Sequence, residues 1–183
     1  MRAGLIGFLG VLMTTVTARA ELVVNLRYDD GTTFKDVAGM QVGDTLTINV
    51  FATITGQPGN PAPEGLILIY YSILSRELTL GQFNGGGISA RAMQPPFNAP
   101  AHNEGLINDA NGDGVNDLGT LPGPPNANQP EATAGMLVLG PTSGFGQAVP
   151  DGWEFSVQEV IYTLGANDIL RTGKRTDLDP VVT

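Results

Sequence analysis

The chain has 183 residues, no cysteine, and twice as many acidic as basic side chains, Asp plus Glu 18 against Lys plus Arg 9. Its net charge of −9 favours cations over polyanions, which argues against nucleic acid and anionic membrane surfaces as partners. The lack of cysteine excludes disulfide scaffolds, thiol redox chemistry and Cys-ligated zinc, so stability must come from burial or from a bound ion.

Residues 1–20 read as an export signal. Arg2 supplies the positive start, Ala3 to Met13 is a short apolar run, and Ala18-Arg19-Ala20 is the small-x-small pattern that precedes cleavage before Glu21. Loss of Arg2 and Arg19 makes the remainder more acidic still. Residues 21–183 are enough for one domain with its own core, and no later segment approaches the length of a membrane span.

Strand signals follow in order. Leu22 to Tyr28 places Leu22, Val24, Leu26 and Tyr28 on one face. Asp29-Asp30-Gly31-Thr32 is a turn, with Thr33 to Val37 as a short return strand. Gly43-Asp44 marks another turn. Asp44 to Ile54 is the clearest alternation in the chain, with Leu46, Ile48, Val50, Ala52 and Ile54 facing one way and threonines facing the other.

Gly56 to Gly65 is a Pro- and Gly-rich loop. Leu66 to Leu74 is apolar on both faces, as expected of a strand covered on two sides, with a buried helix as the competing reading. Glu77 to Phe83 reads as a further strand. Asn84 to Gly135 turns to Gly, Pro, Asn and Ala, with only Leu106-Ile107 resembling a core contact, and is expected to be a long irregular insertion needing an organiser.

Strand-like sequence returns at Met136 to Leu139 and at Trp153 to Leu164. In the latter the apolar phase changes near Gln158-Glu159, which predicts a bulge or a switch of sheet. The terminal Pro180 to Thr183 resembles the start of another strand. These runs predict an all-β chain, an antiparallel β-sandwich of cohesin/immunoglobulin-like type.

One segment carries recognisable chemistry. Residues 109–117 place oxygen-bearing side chains at Asp109, Asn111 and Asp113, the first, third and fifth positions of a cation loop. Gly114 stands at the sixth, where the backbone must turn. Val115 offers its carbonyl at the seventh and Asp117 stands at the ninth. This is how a hard cation that wants six to eight oxygens is served by one short segment, and calcium is the expected ion.

Position twelve is Thr120 rather than a bidentate Glu, and Pro122 and Pro124-Pro125 block a following helix. The remaining ligands must then come from water, from Glu104 or Asp151, or from the region of Asn108. Affinity is expected on the order of 10⁻⁴–10⁻³ M. The competing reading is a bare turn, because Asp, Asn and Gly favour turns without any ion.

Asp109 to Leu118 resembles the Asp-rich calcium loops of thrombospondin type 3 repeats and is close to the dockerin loop, from which it departs in that Val115 occupies position seven where the dockerin aliphatic residue follows it. Leu26 to Thr33, Val42 to Gly56, the Asn-Gly-Asp-Gly-Val-Asn-Asp-Leu-Gly loop and Gly152 to Leu164 together resemble a group of secreted bacterial β-sandwich proteins, many of which carry PEP-CTERM sorting tails. The strands also resemble cohesins. The resemblance implies fold and location rather than an activity: a secreted or cell-surface module.

Other constellations are thin. His102 has no second His or Cys with which to found a zinc site. Ser143 lacks the nucleophile-elbow context, and Gly85-Gly86-Gly87 lacks a phosphate-loop continuation. Glu154 and Glu159 fall on opposite faces of a regular strand, unless the bulge realigns them as a glycosidase pair. Trp153, Tyr70, Tyr71 and Tyr162 could form a sugar-stacking platform only if exposed.

The expectation is a non-enzymatic structural or adhesion module. Its partners would be calcium and an extracellular polysaccharide or surface protein. A carbohydrate-binding module is the alternative, and a carboxylate-dependent glycoside hydrolase a more distant one.

Overall fold

A computed structural model describes residues 21–56, 65–74, 86–98, 103–119, 132–139 and 144–166, together with 168 and 175–177. The expected signal segment and the predicted strands at 77–83 and 180–183 lie outside the described residues, as do His102 and Ser143. In chain order the strands are β1 (Glu21–Tyr28), β2 (Phe34–Asp36), β3 (Thr45–Thr55), β4 (Gly65–Tyr71), β5 (Gly87–Met93), β6 (Asn103–Glu104), β7 (Ile107–Asn108), β8 (Asp117–Leu118), β9 (Ala132–Leu139), β10 (Gln147–Val149), β11 (Gly152–Thr163) and β12 (Arg175–Asp177). The described residues are therefore mostly strand with almost no helix, and every strand ladder among them is antiparallel.

The principal sheet is built on β3 and β11. β1 pairs with one side of β3 and β11 with the other, while β10 and β5 share the far side of β11. The period-two pattern of β3 explains its position. Leu46, Ile48, Val50, Ala52 and Ile54 are all buried, and the intervening residues are half-buried or exposed. Each buried Leu, Ile or Val side chain here contributes about 1.5–3 kcal/mol. A second sheet of β4, β9 and β6 supplies Leu66 and Ile69 to the same core. The strand reading of Leu66 to Leu74 thus holds over 65–71, and the helical alternative does not.

The phase change in β11 is a β-bulge. Ser156 pairs with Phe51 and Gln158 with Val50, so Val157 has no counterpart on β3. Its carbonyl accepts the N–H of Gln94 instead, at 2.9 Å. The extra residue lets Phe155, Val157 and Val160 all face the core, with Phe97 set edge-on against Phe155 at 6.4 Å between ring centroids.

The bulge also turns Gln158 inward, where it is fully buried and joins the two sheets. Its Oε1 accepts the Tyr71 hydroxyl at 2.7 Å, and its Nε2 donates to the Glu104 carbonyl at 2.9 Å. Burial pushes the Tyr71 phenol well above its ordinary pKa.

Two expectations change. The Asp29–Thr32 turn forms, with Gly31 N–H donating to the Tyr28 carbonyl at 2.9 Å, but the return strand does not pair with β1. β2 pairs with β12 instead, Phe34–Asp36 lying antiparallel to Arg175–Asp177. The stretch from 84 to 135, expected to be irregular, contains β5, a full strand of the principal sheet. Ile88, Met93, Phe97, Val115 and Leu118 from that stretch are buried. Its Ala- and Ser-rich sequence is a weak strand former, and the long open side of β11 supplies the pairing that propensity does not.

Candidate metal site

Residues 109–116 connect β7 to β8, whose four residues pair as Ile107 with Leu118 and Asn108 with Asp117. The connection is anchored on both sides. Leu118 and Ile73 exchange backbone hydrogen bonds at 2.8 and 2.9 Å, so the loop's exit is tied to the chain just after β4. The Asn116 carbonyl accepts the Ile88 N–H at 2.8 Å, which ties it to β5.

That second contact is very close. A Cβ on Gly87 would stand 2.4 Å from the Asn116 nitrogen and 2.9 Å from its Cα, and Gly87 itself has φ +114. Only glycine fits there. Val115 and Leu118, at 2% and 0% exposure, set the loop's apolar side into the interior.

The loop winds around Asp109. One carboxylate oxygen of Asp109 accepts the N–H groups of Gly112 and Asp113 at 2.8 and 3.0 Å, and the other accepts that of Gly114 at 3.0 Å. Asn111 Oδ1 accepts the Asp113 N–H, and Asp113 Oδ1 accepts the Val115 N–H, each at 3.0 Å. Asn111 Nδ2 donates to the other Asp113 oxygen at 3.1 Å. Asp117 reaches back to close the loop, its Oδ2 accepting Ala110 N–H at 2.9 Å and Asn111 N–H at 3.3 Å. The path needs Gly114 at φ +89, a left-handed conformation that side chains with a Cβ resist.

All four predicted side-chain donors are thus drawn into one wrapped segment, together with the residue expected to offer a carbonyl. Asp113 and Asp117 are 2% and 0% exposed. Charge withdrawn from water this far requires compensation by donors or by an opposite charge, and the backbone N–H groups supply part of it.

The segment is less than a carboxylate cage. Among the described residues, no three His, Cys, Asp or Glu side chains come together in a group able to hold a metal ion. The available set is mixed: carboxylate oxygens with the amide oxygen of Asn111 and the Val115 carbonyl. Asn108 adds to it. Its Oδ1 is buried without a hydrogen-bond partner, and it lies directly across the β7–β8 pair from Asp117, so the two side chains leave the same face. A buried acceptor lacking a donor suits water or a cation. The donor chemistry fits calcium, which tolerates mixed oxygen ligands, and suggests modest affinity.

The other constellations resolve differently. The bulge does bring Glu154 and Glu159 onto one face, opposite Thr53 and Asn49 of β3. Those partners are two side-chain repeats apart, roughly 13 Å at ~3.3 Å per residue, too far for either glycosidase geometry. Glu154 is engaged with Arg27, whose guanidinium donates to both carboxylate oxygens at 2.8 and 2.5 Å and lies 4.7 Å from the Phe51 ring centroid. That hydrogen-bonded cation, assisted by Thr53, holds the Glu154 carboxyl below its ordinary pKa.

Trp153, Tyr71 and Tyr162 pack against the core, and the Tyr162 hydroxyl donates to the Asp168 carboxylate at 3.2–3.3 Å. They form no exposed row. The Tyr70 side chain lies outside what the structure describes.

Comparison with known protein families, characterised proteins and solved structures finds no significant match for this chain.

Proposed function

We propose that this chain is an exported, non-enzymatic structural or adhesion module of the cohesin/immunoglobulin-like sandwich type, in which calcium orders the loop at residues 109–117. Asp109, Asn111, Asp113, the Val115 carbonyl and Asp117 hold the ion, with Asn108 as an additional oxygen donor.

The observation that carries this reading is the wrapping of three successive loop N–H groups, those of Gly112, Asp113 and Gly114, onto the single carboxylate of Asp109. That hydrogen bonding bends the segment around its first carboxylate, while Asp113 and Asp117 are withdrawn from solvent. A divalent ion supplies the positive charge that such a segment favours. The energetic consequence is structural. The loop joins the end of β4 to the start of β5, so ordering it stabilises the junction between the two sheets.

The test is thermal melting and limited proteolysis across a calcium titration. Calcium at millimolar concentration raises the melting temperature of the parent chain and protects residues 84–135 from cleavage, and Asp113→Ala removes both effects. A parent chain whose melting and cleavage ignore calcium, and which behaves as Asp113→Ala does, removes the proposal.

A further inference from the structure

Asn111 is followed by Gly112, and an Asn–Gly pair in an open chain destroys itself slowly. The glycine nitrogen, which no neighbouring Cβ shields, attacks the asparagine side chain. A bond forms between Gly112 N and Asn111 Cγ, the Cγ–Nδ2 bond breaks, and the proton from Gly112 N leaves with the amide as ammonia. Water then opens the cyclic imide at either of its carbonyls. The product is Asp, or iso-aspartate in which the main chain runs through the former side chain. Water is the only co-reactant.

Both reacting groups are held out of position in the wrapped loop. The Gly112 N–H is aimed at Asp109 Oδ1, 2.8 Å away, so the lone pair left by loss of that proton points at Asp109 rather than at Asn111 Cγ. Asn111 Oδ1 accepts the Asp113 N–H at 3.0 Å, and Nδ2 donates to Asp113 Oδ2 at 3.1 Å, which fixes the amide at both ends. Swinging Cγ onto the Gly112 nitrogen breaks these bonds. The protection is hydrogen bonding and not burial. Gly112 is exposed, and a Cβ built on it meets nothing within 4 Å.

We propose that Asn111 is a conditional modification site: it persists while the loop is wrapped, deamidates when the loop opens, and then prevents rewrapping. Conversion to Asp sets a carboxylate where Nδ2 now donates, against an Asp113 that is only 2% exposed. Repulsion between like charges replaces that hydrogen bond. Iso-aspartate lengthens the main chain by a methylene, so the N–H groups of Gly112, Asp113 and Gly114 lose their common register on Asp109. Opening of the loop is thereby recorded irreversibly. The inference rests on the hydrogen bonds of the loop and is independent of calcium.

Peptide mapping by mass spectrometry follows Asn111 in the full chain, incubated with a chelator at mildly alkaline pH, both folded and in urea. Conversion in the folded parent is slower than in urea on the order of tenfold or more. In urea the other Asn–Gly pair of the chain, Asn84–Gly85, converts alongside and sets the unhindered rate. Asp109→Ala, which frees the Gly112 N–H, moves the folded rate most of the way to the unfolded one. Asn111→Asp, which supplies one product directly, melts a few degrees below the parent in chelator.

Equal rates in the folded and unfolded parent overturn the inference, as does a folded Asp109→Ala that converts as slowly as the parent. An Asn111→Asp chain that melts with the parent overturns the one-way character of the site. Circular dichroism establishes that each variant is folded. If Asp109→Ala is not, the folded-to-urea ratio of the parent decides.

Discussion

The β3–β11 ladder and the 109–117 loop satisfy their backbones in opposite ways. In the ladder, main-chain groups pair with each other across eleven residues of β3, and the side chains are left to exclude water. In the loop, side-chain oxygens accept the backbone N–H groups directly, and two apolar residues, Val115 and Leu118, plug the segment into the core. The first arrangement depends on area buried and is indifferent to small ions. The second concentrates negative charge in a small volume and is sensitive to charge and local geometry. The two regions should therefore respond to different perturbations.

Phe155→Ala breaks the ladder region most severely. The ring is fully buried and stacked edge-on against Phe97, so its loss costs about 3–5 kcal/mol of unfolding free energy in denaturant titration, equally with and without calcium. Gly87→Ala comes next. Its Cβ meets the Asn116 backbone, and chemical denaturation should show a loss of roughly 3 kcal/mol, with amide exchange accelerated first at β5 and β8. Asp109→Ala takes the Asp109 acceptor from the Gly112 and Gly114 N–H groups, while the Asp113 N–H keeps Asn111 Oδ1, and costs about 1–3 kcal/mol, a deficit that calcium does not repair.

The smallest effect belongs to the Arg27–Glu154 pair. Its hydrogen bonds depress the Glu154 pKa, so the stabilisation is complete above about pH 4.5 and is lost as pH falls below that through the depressed folded-state value. Glu154→Gln should lower stability at neutral pH by on the order of 1 kcal/mol and flatten the acid limb of the stability–pH curve relative to the parent.

The ladder region was legible because its physics is written locally. Alternation in Leu46–Ile54 can be read without knowing its neighbours, and the phase slip in β11 announced the bulge at Val157. β5 was not legible: Ile88 and Met93 are separated by Ser, Ala, Arg and Ala, whose pattern favours no element until β11 offers an edge. Nor was the partner of β2, since its pairing with β12 joins opposite ends of the chain.

In the loop, the donor spacing and the need for Gly114 were apparent. The clasp between Gly87 and Asn116 and the unpartnered oxygen of Asn108 arise only from tertiary placement, and no local signal encodes them. Asp117, assigned by its spacing as a ninth-position ligand, is also the residue that ties the end of the loop to its beginning.

The central claim concerns the loop, and amide NMR under calcium titration tests it most directly. Gly112, Asp113 and Gly114 should shift and gain exchange protection together, saturating between roughly 10⁻⁴ and 10⁻³ M calcium, while the amides of β3 stay still. If those three amides are unmoved at millimolar calcium, the segment is an ion-free turn and the account of its function is wrong.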